Sequence, residues 1–274
     1  NVAIGHNALD ANTTGGNNIA IGDGALGANT TNTTNLAIGT SALLANNGSG
    51  DNMAIGQQAA SSNLNGFHVT AIGHYSLLSN TSAQGNTAVG HSALYSNTTG
   101  SPNTAVGKQA LCKNTTGAGN TAVGYAALCL NTTAGGNTAV GLNSLLSTTT
   151  GASNTAVGCG SLQANTTASN NVAVGKEALT STTTGASNTA VGQAALQFNT
   201  TGENNVSVGC RAMRSNTTGI LNTALGRNAA DDNTTGGQNT AVGSAALGAN
   251  TTASYCTAVG SQALVANTTG ANNT

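Results

Sequence analysis

The chain has no tryptophan, one proline (Pro102), four tyrosines and two phenylalanines in 274 residues, and 5% of its residues are charged. A conventional globular domain offsets chain entropy with many large apolar and aromatic side chains. This composition excludes a core of that kind. Six basic residues, scattered, with a net charge of -1 leave no electrostatic footprint for nucleic acid or for an anionic membrane surface. No apolar run approaches the roughly 18 residues of a membrane span, and no signal peptide or lipidation motif is present. If the protein is secreted, its targeting signal and anchor lie outside this stretch.

Catalytic groups are equally sparse. Asp10, Asp23, Asp51, Asp231, Asp232, Glu177 and Glu203 share no common spacing, which argues against a repeated calcium site. No Ser, His and Asp set recurs in a way that would assemble a nucleophile. His74 and His91 are 17 residues apart without a third ligand, which is too few for a structural metal centre. Neither an enzyme nor a bound cofactor or metal is expected.

What the chain does contain is one sentence repeated. An A-I/V-G triplet, with single variants, returns every 17 residues, its glycine falling at Gly5, Gly22, Gly39, Gly56, Gly73, Gly90, Gly107, Gly124, Gly141, Gly158, Gly175, Gly192, Gly209, Gly226, Gly243 and Gly260. Sixteen units occupy residues 1–272, and Asn273 and Thr274 open a seventeenth. A fixed short period without insertions is the signature of a solenoid. Residues 1–274 therefore read as a single continuous repeat array, a window of a longer fibre.

Fixed and free positions separate cleanly within the unit. Counting from Asn1, position 1 is Asn except at Val69 and Cys256, position 3 is Ala except at Ser207, and position 4 is Ile, Val or, at Leu225, Leu. Position 8 is Ala or Ser, and position 9 is Leu except at Ala60, Met213 and Ala230. Positions 6, 7 and 10 vary freely. Gly, Asn, Thr and β-branched residues disfavour a helix. The pattern predicts an all-β parallel solenoid or β-roll with two short strands per coil, one over T-A-V-G and one over x-x-A-L, joined by an N-T-T-G turn. Each coil stacks about 4.8 Å above the last. The Val or Ile at position 4, the Leu at position 9 and two or three Ala form the expected core. The invariant glycine is read as a structural turn residue, needed for positive φ or for close approach of a neighbouring strand. Stacked position-1 Asn side chains are read as a ladder that satisfies turn backbone.

Position 12 leaves two readings open. At Asn12, Asn29, Asn80, Asn97, Asn114, Asn131, Asn165, Asn199, Asn216, Asn233, Asn250 and Asn267 it begins N-T-T or N-T-S, an N-glycosylation acceptor pattern. Glycans there would sheathe the solenoid. The other reading is a second ladder, with Thr at position 14 as its hydroxyl neighbour. It is favoured by Asn46 and Asn63, which lack the acceptor pattern, and by Thr148 and Thr182, which replace Asn. Among five cysteines, Cys112 and Cys129 share position 10 of consecutive coils, a spacing compatible with a disulfide; two stacked free thiols are the alternative. Cys159 and Cys210 are three coils apart, too far to bridge.

The units N-V-A-I-G-H-N-A-L at Asn1, N-I-A-I-G-D-G-A-L at Asn18 and N-L-A-I-G-T-S-A-L at Asn35 resemble the head repeats of trimeric autotransporter adhesins, the YadA-like head, and related fibre proteins. The resemblance covers the A-I/V-G and A-L segments of all sixteen units. It implies a left-handed parallel β-roll, a homotrimer, and attachment to host matrix or other surfaces. The chain departs from that pattern in its longer coil, extended by N-T-T-G. Thin coils independently argue that several chains share one core, and open strand edges argue for end-to-end stacking. The expected function is a structural segment of an extracellular or cell-surface fibre or adhesin, a stiff solenoid presenting positions 6, 7 and 10 for attachment to glycans or matrix. Expected partners are further copies of the chain, with no nucleic acid and no membrane segment. A glycan-bearing filament scaffold is the alternative, and an ice-binding solenoid, drawing on flat Thr ladders, the lesser one.

Overall fold

The computed structural model describes residues 1–274, and the chain divides into two compact units, Asn1–Gly136 and Asn137–Thr274. Each contains eight 17-residue coils with one three-residue strand apiece. In the first unit these are β1 (Val2–Ile4), β2 (Ile19–Ile21), β3 (Leu36–Ile38), β4 (Met53–Ile55), β5 (Thr70–Ile72), β6 (Thr87–Val89), β7 (Thr104–Val106) and β8 (Thr121–Val123). In the second they are β9 (Thr138–Val140), β10 (Thr155–Val157), β11 (Val172–Val174), β12 (Thr189–Val191), β13 (Val206–Val208), β14 (Thr223–Leu225), β15 (Thr240–Val242) and β16 (Thr257–Val259). Within each unit, successive strands pair in parallel and in strict register, Ala105 opposite Ala122 and Ala156 opposite Ala173. The protein is an all-β parallel solenoid, as the 17-residue period predicts.

The second strand expected over x-x-A-L is absent. Positions 6 to 11 form a continuous run of turns, because positions 7 and 9 both lie in the left-handed region. The residue at position 9 has φ between 46° and 54° in every coil, and Leu196 is at 51°. A branched side chain is uncommon there. Two interactions offset the strain at Leu196: its side chain is fully buried, and its N–H donates to the Ala212 carbonyl of the next coil at 3.0 Å. Inter-coil hydrogen bonding thus continues through a segment that alternating backbone conformation keeps from extending.

The glycine at position 5 meets both conditions anticipated for it. Its φ lies between 127° and 138° in all sixteen coils, a region that side chains rarely adopt. A Cβ at Gly192 would also sit 2.6 Å from the carbonyl oxygen of Gly209. Each coil therefore approaches the next through bare backbone.

The interior is narrower than the sequence suggested. Ala at positions 3 and 8 and Leu at position 9 are buried, as are Asn at positions 1 and 12 in the inner coils. Ser207, the single replacement at position 3, is buried too, and its hydroxyl donates to the Ala212 carbonyl at 2.8 Å. The position-4 Val and Ile are not part of this core. Successive residues of a strand point to opposite faces, so an inward Ala3 sends Ile4 outward, and none of the sixteen position-4 side chains is buried.

Candidate interaction surface

Two asparagine ladders hold the coils in register and so fix what the surface displays. At position 1, Oδ1 of Asn137 accepts the backbone N–H of Asn154 at 2.9 Å, while Asn154 Nδ2 donates to Ala168 O, in its own coil, at 2.8 Å. Val69 and Cys256 lack the amide but still receive support from the coil before: their N–H groups donate to Asn52 Oδ1 and Asn239 Oδ1, each at 3.0 Å. At position 12, Asn114 Nδ2 donates to Asn97 Oδ1 at 2.8 Å and to Gly117 O at 3.0 Å.

This second ladder accounts for the replacements at position 12. Thr148 and Thr182 stand in as acceptors, receiving Nδ2 of Asn165 at 3.2 Å and of Asn199 at 3.4 Å. Of the twelve asparagines in the acceptor pattern, all but Asn12 and Asn267 are buried. Their Nδ2 atoms point into the coil as hydrogen-bond donors, which leaves no amide nitrogen free to carry a sugar in the folded chain. The accompanying hydroxyl is at position 13, not 14: Thr115 Oγ1 donates to Thr132 O at 3.0 Å.

Outside the ladders, the strands of each unit present an outward face. Position 4 contributes an unbroken column of branched apolar side chains, from Ile4 to Val123 in the first unit and from Val140 to Val259 in the second. Val191 and Leu225 are 36% and 48% exposed. Position 2 lies beside it on the same face. It is apolar at Val2, Ile19, Leu36 and Met53, and threonine in ten of the following coils. No pocket opens in the surface, so the candidate site is this face and not a cleft. Contiguous exposed apolar patches of this kind mark interaction sites.

No protein-family model, curated protein or solved structure matches the chain.

The variable positions form a second, chemically mixed surface. Tyr75 meets His91 edge-on with ring centroids 5.8 Å apart and packs against His74 at 6.5 Å. Lys108 lies 6.0 Å from the centroid of Tyr125. Asp231, largely buried, faces Arg211 at 3.3 Å and Arg214 at 3.4 Å. Burial pushes its carboxyl above the usual range against the pull of Arg214 and Arg211. No group of three or more His, Cys, Asp or Glu is arranged to hold a metal ion.

Cys112 and Cys129 are free thiols, not a disulfide. The S–H of Cys129 stabilises the Cys112 thiolate, with Lys113 assisting and burial opposing, and the Cys112 thiol falls to about 7. Cys129 moves the other way, holding its proton because it donates to Cys112 and because it is partly buried. Cys159 and Cys210 are exposed and unpaired.

Sequence reasoning missed the strand face because it counted position 4 as core. The signal was available in the two-residue alternation of a strand: Ala at position 3 in all coils but one, beside a branched residue at position 4 in every coil, cannot place both inside.

Proposed function

We infer that the chain is a structural segment of an extracellular fibre or adhesin, in which left-handed coils associate side by side with identical chains as a homotrimer. The observation that carries this reading is the unbroken outward column of Ile, Val and Leu at position 4. A copy of the same chain has the same rung spacing, so each apolar residue of one column meets an equivalent residue of the other. Covering the column removes apolar surface from water at about 25 cal/mol per Å². The V-A-I-G resemblance to trimeric adhesin heads is consistent with that arrangement. The variable positions 6, 7 and 10 stay outside the contact, where they present the attachment surface for matrix proteins or glycans.

Sedimentation equilibrium of the chain tests the reading. The expected mass is three times the 26.3 kDa of one chain. The double substitution Val174→Asp and Val191→Asp is expected to return single chains with an unchanged far-ultraviolet circular dichroism spectrum. A wild-type chain that stays monomeric at every concentration rejects the proposal.

One observation favours a second reading, an ice-binding solenoid. Thr at position 2, interrupted by Val172 and Val206, and the branched residue at position 4 form two same-facing columns within each unit from Thr70 onward, an array of hydroxyls and methyls of the sort that orders water. Thermal hysteresis in a dilute solution of the chain supports it, and its absence removes it.

A further inference from the structure

Asparagine is followed directly by glycine at two places, Asn47-Gly48 and Asn65-Gly66, in adjacent coils of the first unit. In such a pair the glycine nitrogen can attack the asparagine side-chain amide with little hindrance, because the attacking residue has no Cβ. Both asparagines are exposed, so solvent access does not tell the pairs apart. Hydrogen bonding does.

At the first pair both reacting groups are engaged. Gly48 N–H donates to Leu64 O of the next coil at 2.9 Å. Asn47 Oδ1 accepts twice from Thr30, the backbone N–H at 3.2 Å and Oγ1 at 2.6 Å. At the second pair neither group is held. The Asn65 side chain makes no hydrogen bond and leans into the space that a Cβ on Gly48 would fill. Gly66 is buried, yet its N–H has no partner.

A buried N–H without a partner is rare, and a comparison with a neighbouring coil explains this one. Thr115 O accepts three donors, Thr98 N–H at 3.0 Å and the N–H groups of Thr99 and Gly100 at 3.3 Å each. The equivalent Thr81 O takes Leu64 N–H at 3.0 Å and is drawn closer to Asn65 N–H, at 2.9 Å, which leaves Gly66 N–H out. The nucleophilic nitrogen and the amide it would attack thus belong to neighbouring residues, and no hydrogen bond to either opposes the rotation of Asn65 that brings them together.

We propose that Asn65 is a site of spontaneous deamidation in the folded chain and that Asn47 is protected from the same reaction. Gly66 N gives its proton to hydroxide and attacks Asn65 Cγ. The N–Cγ bond forms, the Cγ–Nδ2 bond breaks, and the nitrogen leaves as ammonia after taking a proton from water. Water then adds to either carbonyl of the cyclic imide and opens it. The product is aspartate or isoaspartate, in which the backbone runs through the side chain. One amide and one water become a carboxylate and ammonium. Isoaspartate adds an atom to the backbone of a coil whose neighbours pair in strict register, so the reaction brings both a negative charge and a local misfit to this turn.

The full chain, folded or in urea, is incubated at mildly alkaline pH and mapped by mass spectrometry. Cleavage at Met53 places the two pairs in separate fragments. In the folded chain Asn65 is expected to deamidate at least about 10-fold faster than Asn47, whose three hydrogen bonds must first be released. In urea the two rates should converge. Electron-transfer fragmentation is expected to find isoaspartate at residue 65, and Asn65→Gln to abolish the change there while leaving Asn47 as it was. Equal rates at the two sites in the folded chain, faster reaction at Asn47, or an Asn65 that stays intact when folded while the unfolded chain reacts would overturn the proposal.

Discussion

Asn188 Oδ1 accepts two hydrogen bonds from Asn205, the backbone N–H at 3.0 Å and the side-chain Nδ2 at 3.1 Å. Asn188 Nδ2 donates in turn to Gly202 O at 2.9 Å. One buried amide therefore closes its own turn and seats the next coil, and the same arrangement recurs within each unit wherever position 1 keeps Asn on both coils.

Replacing Asn188 with Ala strands the buried Asn205 N–H, while the Gly202 carbonyl keeps the Asn199 Nδ2 donor at 3.0 Å. One orphaned buried group costs about 1–3 kcal/mol, so Asn188→Ala is expected to destabilise the second unit by at least about 1 kcal/mol. The urea midpoint reads this directly, and a shift within about 0.5 kcal/mol of wild type, ordinary for a surface substitution, contradicts the ladder.

Gly192 and Gly160 separate two reasons for glycine. At Gly192, φ is +132° and an added Cβ meets Gly209 backbone, so Gly192→Ala should cost about 3 kcal/mol or more. At Gly160, φ is +66° and a Cβ meets only side chains, Gln163 at 3.3 Å and Glu177 at 3.9 Å. Alanine already takes this conformation at the equivalent Ala194 and Ala245. Gly160→Ala is expected to cost about 1 kcal/mol or less. Similar losses at both sites in chemical denaturation would refute the distinction.

Thr182 is a weak rung. It gives its one hydroxyl proton to Asn199 O at 3.2 Å, leaving the buried Oδ1 of Asn165 beneath it without a donor. Thr182→Asn restores an Nδ2 in the place that Asn uses in other coils. A gain of about 1 kcal/mol is expected, read as a raised melting temperature; a loss would mean that the coil has adapted its packing to threonine.

The inward amides at position 12 predict that the buried acceptor sites carry no sugar. Treatment of the natural protein with peptide N-glycosidase should release no sugar from the ten buried position-12 asparagines. A loss of sugar mass from the ten buried sites, Asn114 and Asn216 among them, would require the turns to refold around the glycan.

Asp231 contributes a small pH dependence whose sign is fixed. Its folded carboxyl titrates above its unfolded value of 3.8 because burial outweighs Arg214 and Arg211. The native state thus binds more protons in the window just above pH 4, and stability falls as pH rises through it. Asp231→Asn should flatten that slope in denaturation curves collected between pH 3 and 6, and an unchanged slope would assign it elsewhere.

The 17-residue period, the stacking of equivalent residues and the need for glycine at position 5 were all legible in the sequence, because a repeat forces every local requirement to recur in register. The Asn ladder at position 1 was legible for the same reason: an amide kept in fourteen of sixteen copies must meet a partner that also repeats. Three matters were decided only by the tertiary structure. The x-x-A-L segment is a turn, since the left-handed φ at positions 7 and 9 is imposed by neighbouring coils and is not a preference of leucine or serine. The position-12 amides point inward, although N-T-T is equally an exposed acceptor pattern; which way they face depends on where the Gly117 and Gly202 carbonyls and their equivalents lie. The Ile and Val of position 4 face water, because the interior left by alanine at positions 3 and 8 has room for one leucine per coil and no second branched side chain.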